Sequence, residues 1–179
     1  MFGYDRTLIA SLVAMILAAG PAWADANLGQ AASDAEIAAW DVSIGPDGMG
    51  LPPGGGTAKE GGAIYEAKCL SCHGEGGTSG EGLADPLVGG IGSLAGPQPM
   101  KTVGSYWPFS TTLFDYTRRA MPFDAPMSLT DEEVYALCAY ILWLNGVIVD
   151  EDQVLNAETL PAIEMPNRDG FISYWPPQN

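Results

Sequence analysis

The segment Cys69-Leu70-Ser71-Cys72-His73 sets two thiols three positions apart and an imidazole directly after the second. This C-x-x-C-H spacing is the form used for haem attachment. Two thiols so placed can add to the two vinyl groups of one porphyrin. The following histidine then lies beneath the iron, where a ring nitrogen binds the metal. On this reading Cys69 and Cys72 anchor a single haem c covalently, and His73 is an iron ligand. Three other chemistries use closely spaced cysteines. Zinc would need a fourth ligand, and His73 is the sole histidine; Cys138 lies far along the chain, and a lone C-x-x-C-H is not typical zinc spacing. A thioredoxin-like redox pair would need a βαβ context, which the sequence does not offer. A disulfide across two residues would be strained and would leave His73 without a role.

With one histidine in the chain, bis-histidine ligation by this chain alone is excluded. Methionine is the expected sixth ligand, and His/Met ligation raises the reduction potential. Outside the first 24 residues the candidates are Met49, Met100, Met121, Met127 and Met165. Met121 is chosen because it follows the breaker-rich loops, ends a short helix and is restrained by Pro122. Met127 is the runner-up. The others read as core fillers, the commoner use of methionine. Lysine or an open sixth position is also compatible with the sequence.

These groups must be positioned by helices. Ser33-Asp34-Ala35-Glu36 has the form of a capping box, with a short helix through Trp40. The breakers of 45–56 then read as a linker. Thr57-Ala58-Lys59-Glu60 repeats the box and predicts a helix to about Cys69. Gly61 and Gly62 each weaken that helix by ~1 kcal/mol relative to Ala, so the close approach of another helix is expected there. Residues 74–109 read mostly as loop, a length that calls for a purpose such as wrapping a large flat cofactor. Ser110 to Ala120 predicts a modest helix with Leu113, Tyr116 and Thr117 on one side, ended by Met121-Pro122. The strongest helix is capped by Thr130 and Glu133. Its stripe is Val134, Leu137, Cys138, Ile141 and Leu142, and Gly146 terminates it. The fold class is all-α, with no strands expected.

The first 24 residues read as a secretory signal peptide: Arg6, an apolar run from Thr7 to Gly20, and Ala22-Trp23-Ala24 as the cleavage site. The run is shorter than the ~20 residues needed to span a bilayer. The mature protein is expected to be soluble and periplasmic. The domain reading is 1–24 signal peptide, 25–56 N-terminal extension and linker, 57–146 haem domain and 147–179 C-terminal extension. Twenty-two acidic residues face seven basic ones, a net charge of −15. That excludes nucleic acid and anionic membrane surfaces as partners and suits a basic protein partner.

The residues quoted above resemble class I cytochromes c. Gly61 and Tyr65 stand where that family crosses its first and last helices, and Leu137 and Tyr140 match its last helix. Pro86-Leu87 is similar to its proline loop, which implies a backbone carbonyl orienting the imidazole. Met121-Pro122 matches its distal ligand. A narrower resemblance rests on 35–41, 46–48 and 50–54, on Gly104-Ser105-Tyr106-Trp107-Pro108-Phe109, on 119–123 and on 165–171. These are similar to the cytochrome subunit of Sox-type sulfur or sulfite dehydrogenases. That implies a molybdenum-cofactor dehydrogenase subunit as electron donor and a soluble cytochrome c as acceptor. It also favours Tyr106 and Trp107 as contacts to the haem edge, with plain packing as the alternative. One C-x-x-C-H gives no support for a second haem.

The activity implied is one-electron transfer with no catalytic residue in this chain. A freely diffusing shuttle is the rival reading, and the extensions at both ends argue against it. A five-coordinate haem enzyme or gas sensor would need an open iron face. Arg118 and Arg119 read as propionate or partner contacts, or as solvated charge. Cys138 reads as a buried inert thiol. Trp40 and Trp175 read as anchors on a partner or as covers of the haem domain.

Overall fold

Local hydrogen bonding starts four of the helices. In a computed structural model describing residues 29–79 and 84–172, Ser33, Thr57, Thr102 and Thr130 each accept from the backbone N–H three residues on, and the side chain there bonds back. Each pairing satisfies N–H groups that the first helical turn leaves without partners. The predicted signal peptide and Trp175 lie outside the described residues.

Two compact units meet in sequence at Asp41 and Val42. The described part of the first is residues 29–41. It holds α1 (Asp34–Trp40), none of whose residues is buried.

The second unit carries β1 (Gly55–Gly56), α2 (Ala58–Lys68), α3 (Leu70–His73), a 3-10 turn over Glu75–Gly77, α4 (Val103–Tyr106), α5 (Ser110–Ala120), α6 (Asp131–Leu144) and β2 (Leu155–Asn156). Its centre is α6, packed on α2 and α5. Val134 through Ala139, Ile141 and Leu142 are all buried, and each large apolar side chain among them contributes roughly 1.5–3 kcal/mol. The glycine expected to admit a neighbouring helix is Gly61. A Cβ there would stand 2.0 Å from the Ala136 carbonyl oxygen. Gly62 faces only the rim of the Tyr140 ring, at 3.4 Å.

Three features depart from the sequence reading. Two residues of the linker pair antiparallel with the tail, Gly55 opposite Asn156 and Gly56 opposite Leu155. A strand of two residues has too few positions to show a period, so the expectation of no strands missed it. On α5, Phe114 is buried while Tyr116 is half exposed; the inward face runs through Ser110, Thr111, Leu113, Phe114 and Thr117. The tail beyond 147 enters the core: Leu155, Leu160 and Met165 are buried in the same cluster as α6. Ser110 Oγ donates to the Leu160 carbonyl at 2.6 Å, and Asn167 Nδ2 to the Tyr106 carbonyl at 2.7 Å.

Candidate haem site

Cys69 is the hinge between α2 and α3. Its N–H still donates to the Tyr65 carbonyl at 2.8 Å, while its own carbonyl accepts from Cys72 and His73 at 3.1 and 2.9 Å. The chain therefore turns tightly enough to put both thiols and the imidazole on one short helical turn. Gly74 ends that turn with φ +71°, a conformation that favours glycine. The Tyr65 hydroxyl donates to the Gly74 carbonyl at 2.8 Å, and its ring meets Tyr140 of α6 at 5.3 Å. Burial, helped by Cys69 and Tyr140, pushes the Tyr65 hydroxyl up to about 12, so it stays a donor. The motif is thus tied to the α2–α6 crossing.

The cysteines are free thiols. Cys69 is half-buried and Cys72 exposed. Burial, opposed by Lys68 and reinforced by Cys72, pushes the Cys69 thiol up to about 11. A redox-active pair has the opposite property, a thiolate stabilised at neutral pH. Cys138 is fully buried in the core, and burial alone drives its thiol upward. Among the described residues no three His, Cys, Asp or Glu side chains are grouped to share a metal ion.

His73 Nδ1 lies 3.4 Å from the carbonyl oxygen of Asp85. The resemblance implied a carbonyl of the Pro86-Leu87 loop; the atom that faces the ring belongs to the residue before the proline. Nothing in the sequence marked Asp85, because any residue supplies a carbonyl. Were Nε2 to bind iron, Nδ1 would carry the proton and could donate to the Asp85 carbonyl. Pro86 is half-buried, and Leu87, like Cys69, Leu70 and Trp107, packs against the core.

Tyr106 ends α4 and Trp107 follows it. Tyr106 lies between the Lys101 ammonium, 4.9 Å from its ring centre, and Phe171 of the tail, edge-on at 5.3 Å. Trp107 meets Tyr116 edge-on at 5.7 Å. Met121 caps α5 in extended backbone, its N–H on the Thr117 carbonyl at 3.1 Å. Met165 is buried in the core; Met49, Met100 and Met127 are exposed. Both arginines of α5 are already ion-paired, Arg118 with Asp131 at 3.3 Å and Arg119 with Asp115.

The donor set fits an iron porphyrin: two free thiols, an imidazole whose second nitrogen is oriented by a carbonyl, and methionines on a separate segment. In the sequence between the motif and α6, Ile91, Met100, Tyr116, Phe123 and Met127 are exposed.

Comparison with known proteins points to a cytochrome c. Residues 56–141 match the family model described as cytochrome c oxidase, cbb3-type, subunit III. The fold is similar to a chain in the crystal structure of the sulfane dehydrogenase SoxCD from Paracoccus pantotrophus, with a TM-score of 0.75 and 41% identity. That alignment covers 81% of this chain and 70% of the other. No curated protein sequence matches the chain. No helix among the described residues is long and apolar enough to cross a membrane.

Proposed function

This chain belongs to the class I cytochromes c, and from that membership we propose that it is the one-haem electron-transfer subunit of a sulfur- or sulfite-oxidising dehydrogenase in the periplasm. Haem held here supplies a one-electron ferric–ferrous couple. Cys69 and Cys72 hold its edge through thioethers, which prevents loss of the cofactor in an exported protein. His73 Nε2 would ligate the iron, and the Asp85 carbonyl would fix the imidazole's tautomer and direction. Met121 would supply the second iron ligand, and Tyr106 and Trp107 would line the haem edge. The electron donor is a molybdenum-cofactor subunit and the acceptor a soluble cytochrome c.

The observation that carries this reading is the 69–73 turn, with its imidazole facing the Asp85 carbonyl, in a chain 41% identical to one in SoxCD. Leu155, Leu160 and Met165 of the described tail are part of the core and give no support to a partner arm. The N-terminal arm does: Trp40 is 87% exposed and Ile37 lies on the same short helix. A net charge of −15 suits a basic docking face.

The test is expression in a host that matures c-type cytochromes. The product should be red, gain the mass of one haem and lose the signal peptide after Ala24. It should co-purify with a molybdenum protein and be reduced by it when a sulfur substrate is added. Monomeric elution from native extract, with no reduction by any molybdenum protein, would leave the diffusing shuttle. Met121→Ala should remove the methionine–iron charge-transfer band; an unchanged band assigns another ligand.

A further inference from the structure

The loop that faces His73 is moored by the Val103 N–H, which donates to the Leu87 carbonyl at 3.2 Å, by Thr102 Oγ1, which donates to the Gly89 carbonyl at 2.6 Å, and by two further groups. On one side the N–H groups of Leu87 and Val88 both donate to the Gly77 carbonyl, at 2.8 and 3.1 Å. On the other side stands one side-chain amide, that of Asn145, the residue after the last turn of α6. Asn145 Nδ2 donates to the Leu87 carbonyl at 3.1 Å and to the Ile141 carbonyl at 2.9 Å. Its Oδ1 accepts from the Gly89 N–H at 3.3 Å. Asn145 is 8% exposed, so both hydrogens and the oxygen of a buried amide are spent on three backbone groups. Gly104 of α4 leaves room for it: a Cβ there would stand 2.4 Å from Oδ1 and 2.8 Å from Cγ.

We propose that Asn145 is a positioning residue for the haem ligand His73. Together with Val103 N–H and Thr102 Oγ1 it clamps Leu87 and Gly89, and so it helps to set the place of the Asp85 carbonyl opposite Nδ1. Only Pro86 separates Asp85 from Leu87, and its ring fixes φ, so a displacement of Leu87 is passed on rather than absorbed. The hydrogen bond from Nδ1 makes the imidazole a more basic ligand, which favours ferric iron. Loosening the clamp weakens that bond and raises the reduction potential. The proposal rests on the reading of His73 as a haem ligand.

The experiment compares the purified haem-loaded wild type with Asn145→Ala, Gly104→Ala and Thr130→Ala. Midpoint potentials come from spectroelectrochemical titration, with thermal melting recorded in parallel. Asn145→Ala removes the amide's bonds to Leu87 and Gly89 while those from Val103 and Thr102 remain, and Gly104→Ala pushes the intact amide out of place. Both should raise the potential, so that the ferrous fraction at a fixed poise rises severalfold. Thr130→Ala removes the opposite cap of α6; it should lower the melting temperature and leave the potential unchanged. If Asn145→Ala does not fold, Gly104→Ala carries the test. An unchanged potential with a lowered melting temperature overturns the proposal, as does an equal shift from Thr130→Ala. A wild-type protein free of haem overturns the reading beneath it, and this proposal with it.

Discussion

The α2–α6 crossing and the 84–109 loop meet at the same motif, yet they are held in different ways. The crossing is packed by side chains: Gly61 against the Ala136 backbone, Tyr65 against Tyr140, and a last helix apolar on nearly every side. The loop has almost no periodic burial. It is moored by a few hydrogen bonds: the Leu87 and Val88 N–H groups donate to the Gly77 carbonyl, Val103 N–H and Asn145 Nδ2 donate to the Leu87 carbonyl, Gly89 N–H donates to Asn145 Oδ1, and Thr102 Oγ1 donates to the Gly89 carbonyl. Packing resists change because interiors are dense. A few hydrogen bonds, each worth about 1 kcal/mol net, hold a loop in place only while all are made. The first region gives the site its rigidity, and the second gives it a face that a cofactor must complete.

The sharpest test of that division is Cys69→Ser with Cys72→Ser. Without thiols there is no covalent attachment, and haem staining after denaturing electrophoresis should be abolished. Hydrogen exchange should then rise most in 84–109 and least in α6. An equal rise in both would mean that they unfold as one unit and that the division is wrong.

Within the crossing, the two neighbouring glycines should behave oppositely. Gly61→Ala drives a Cβ into the Ala136 carbonyl carbon and oxygen, atoms that cannot rotate away. The expected cost is about 3 kcal/mol or more, the upper range for overpacking. Gly62→Ala meets the Tyr140 ring at an ordinary contact distance and gains helix propensity, so it should stabilise by up to ~1 kcal/mol. Urea unfolding of the two variants checks the sign as well as the size.

The tail sharpens the comparison from a third side. Met165 is 1% exposed and shares the core with Leu155 and Leu160. Met165→Ala should cost about 2–4 kcal/mol. A change below 0.5 kcal/mol, the ordinary surface value, would return the tail to the status of a loose extension.

These regions also differ in how far they can be read from sequence. Ser33, Thr57, Thr130 and the stripe of α6 announce themselves, because capping and periodicity are local and repeat within a few residues. The bounds of α5 follow from Met121-Pro122. Cys69, Cys72 and His73 stand out for the same reason: the C-x-x-C-H spacing is local. The moorings of the loop are not local. Asn145 lies 58 residues from Leu87, and its signal, an asparagine before Gly146, reads only as a helix end. Asp85 acts through a carbonyl that every residue has. The short helix α4 is capped by Thr102 and Ser105 rather than by Glu or Gln, so the usual box was not visible. The tail's apolar residues sit in turns without a period, and only the surface they meet shows them to be core.

The weakest link across the crossing is electrostatic. Lys68 Nζ of α2 lies 2.5 Å from Glu133 Oε1 of α6. Glu133 is held below the usual carboxylate range, chiefly by the bond from Lys68 and also by the Thr130 N–H, against the raising effect of burial. A lowered carboxylate value means that the folded protein releases this proton more readily than the unfolded chain. The contribution is therefore complete above the unfolded value near 4.5 and is lost as pH falls through the lower folded value. Both side chains are partly exposed, 37% and 26%, so solvent screening keeps the pair to about 0.5 kcal/mol. Glu133→Gln should cost that much at pH 7, its cost should shrink as pH falls from 4.5 through the lowered folded value, and it should reduce the acid sensitivity of urea unfolding. A loss at pH 3 equal to that at pH 7 would show that the cost comes from the capping geometry at Thr130 and not from the ion pair.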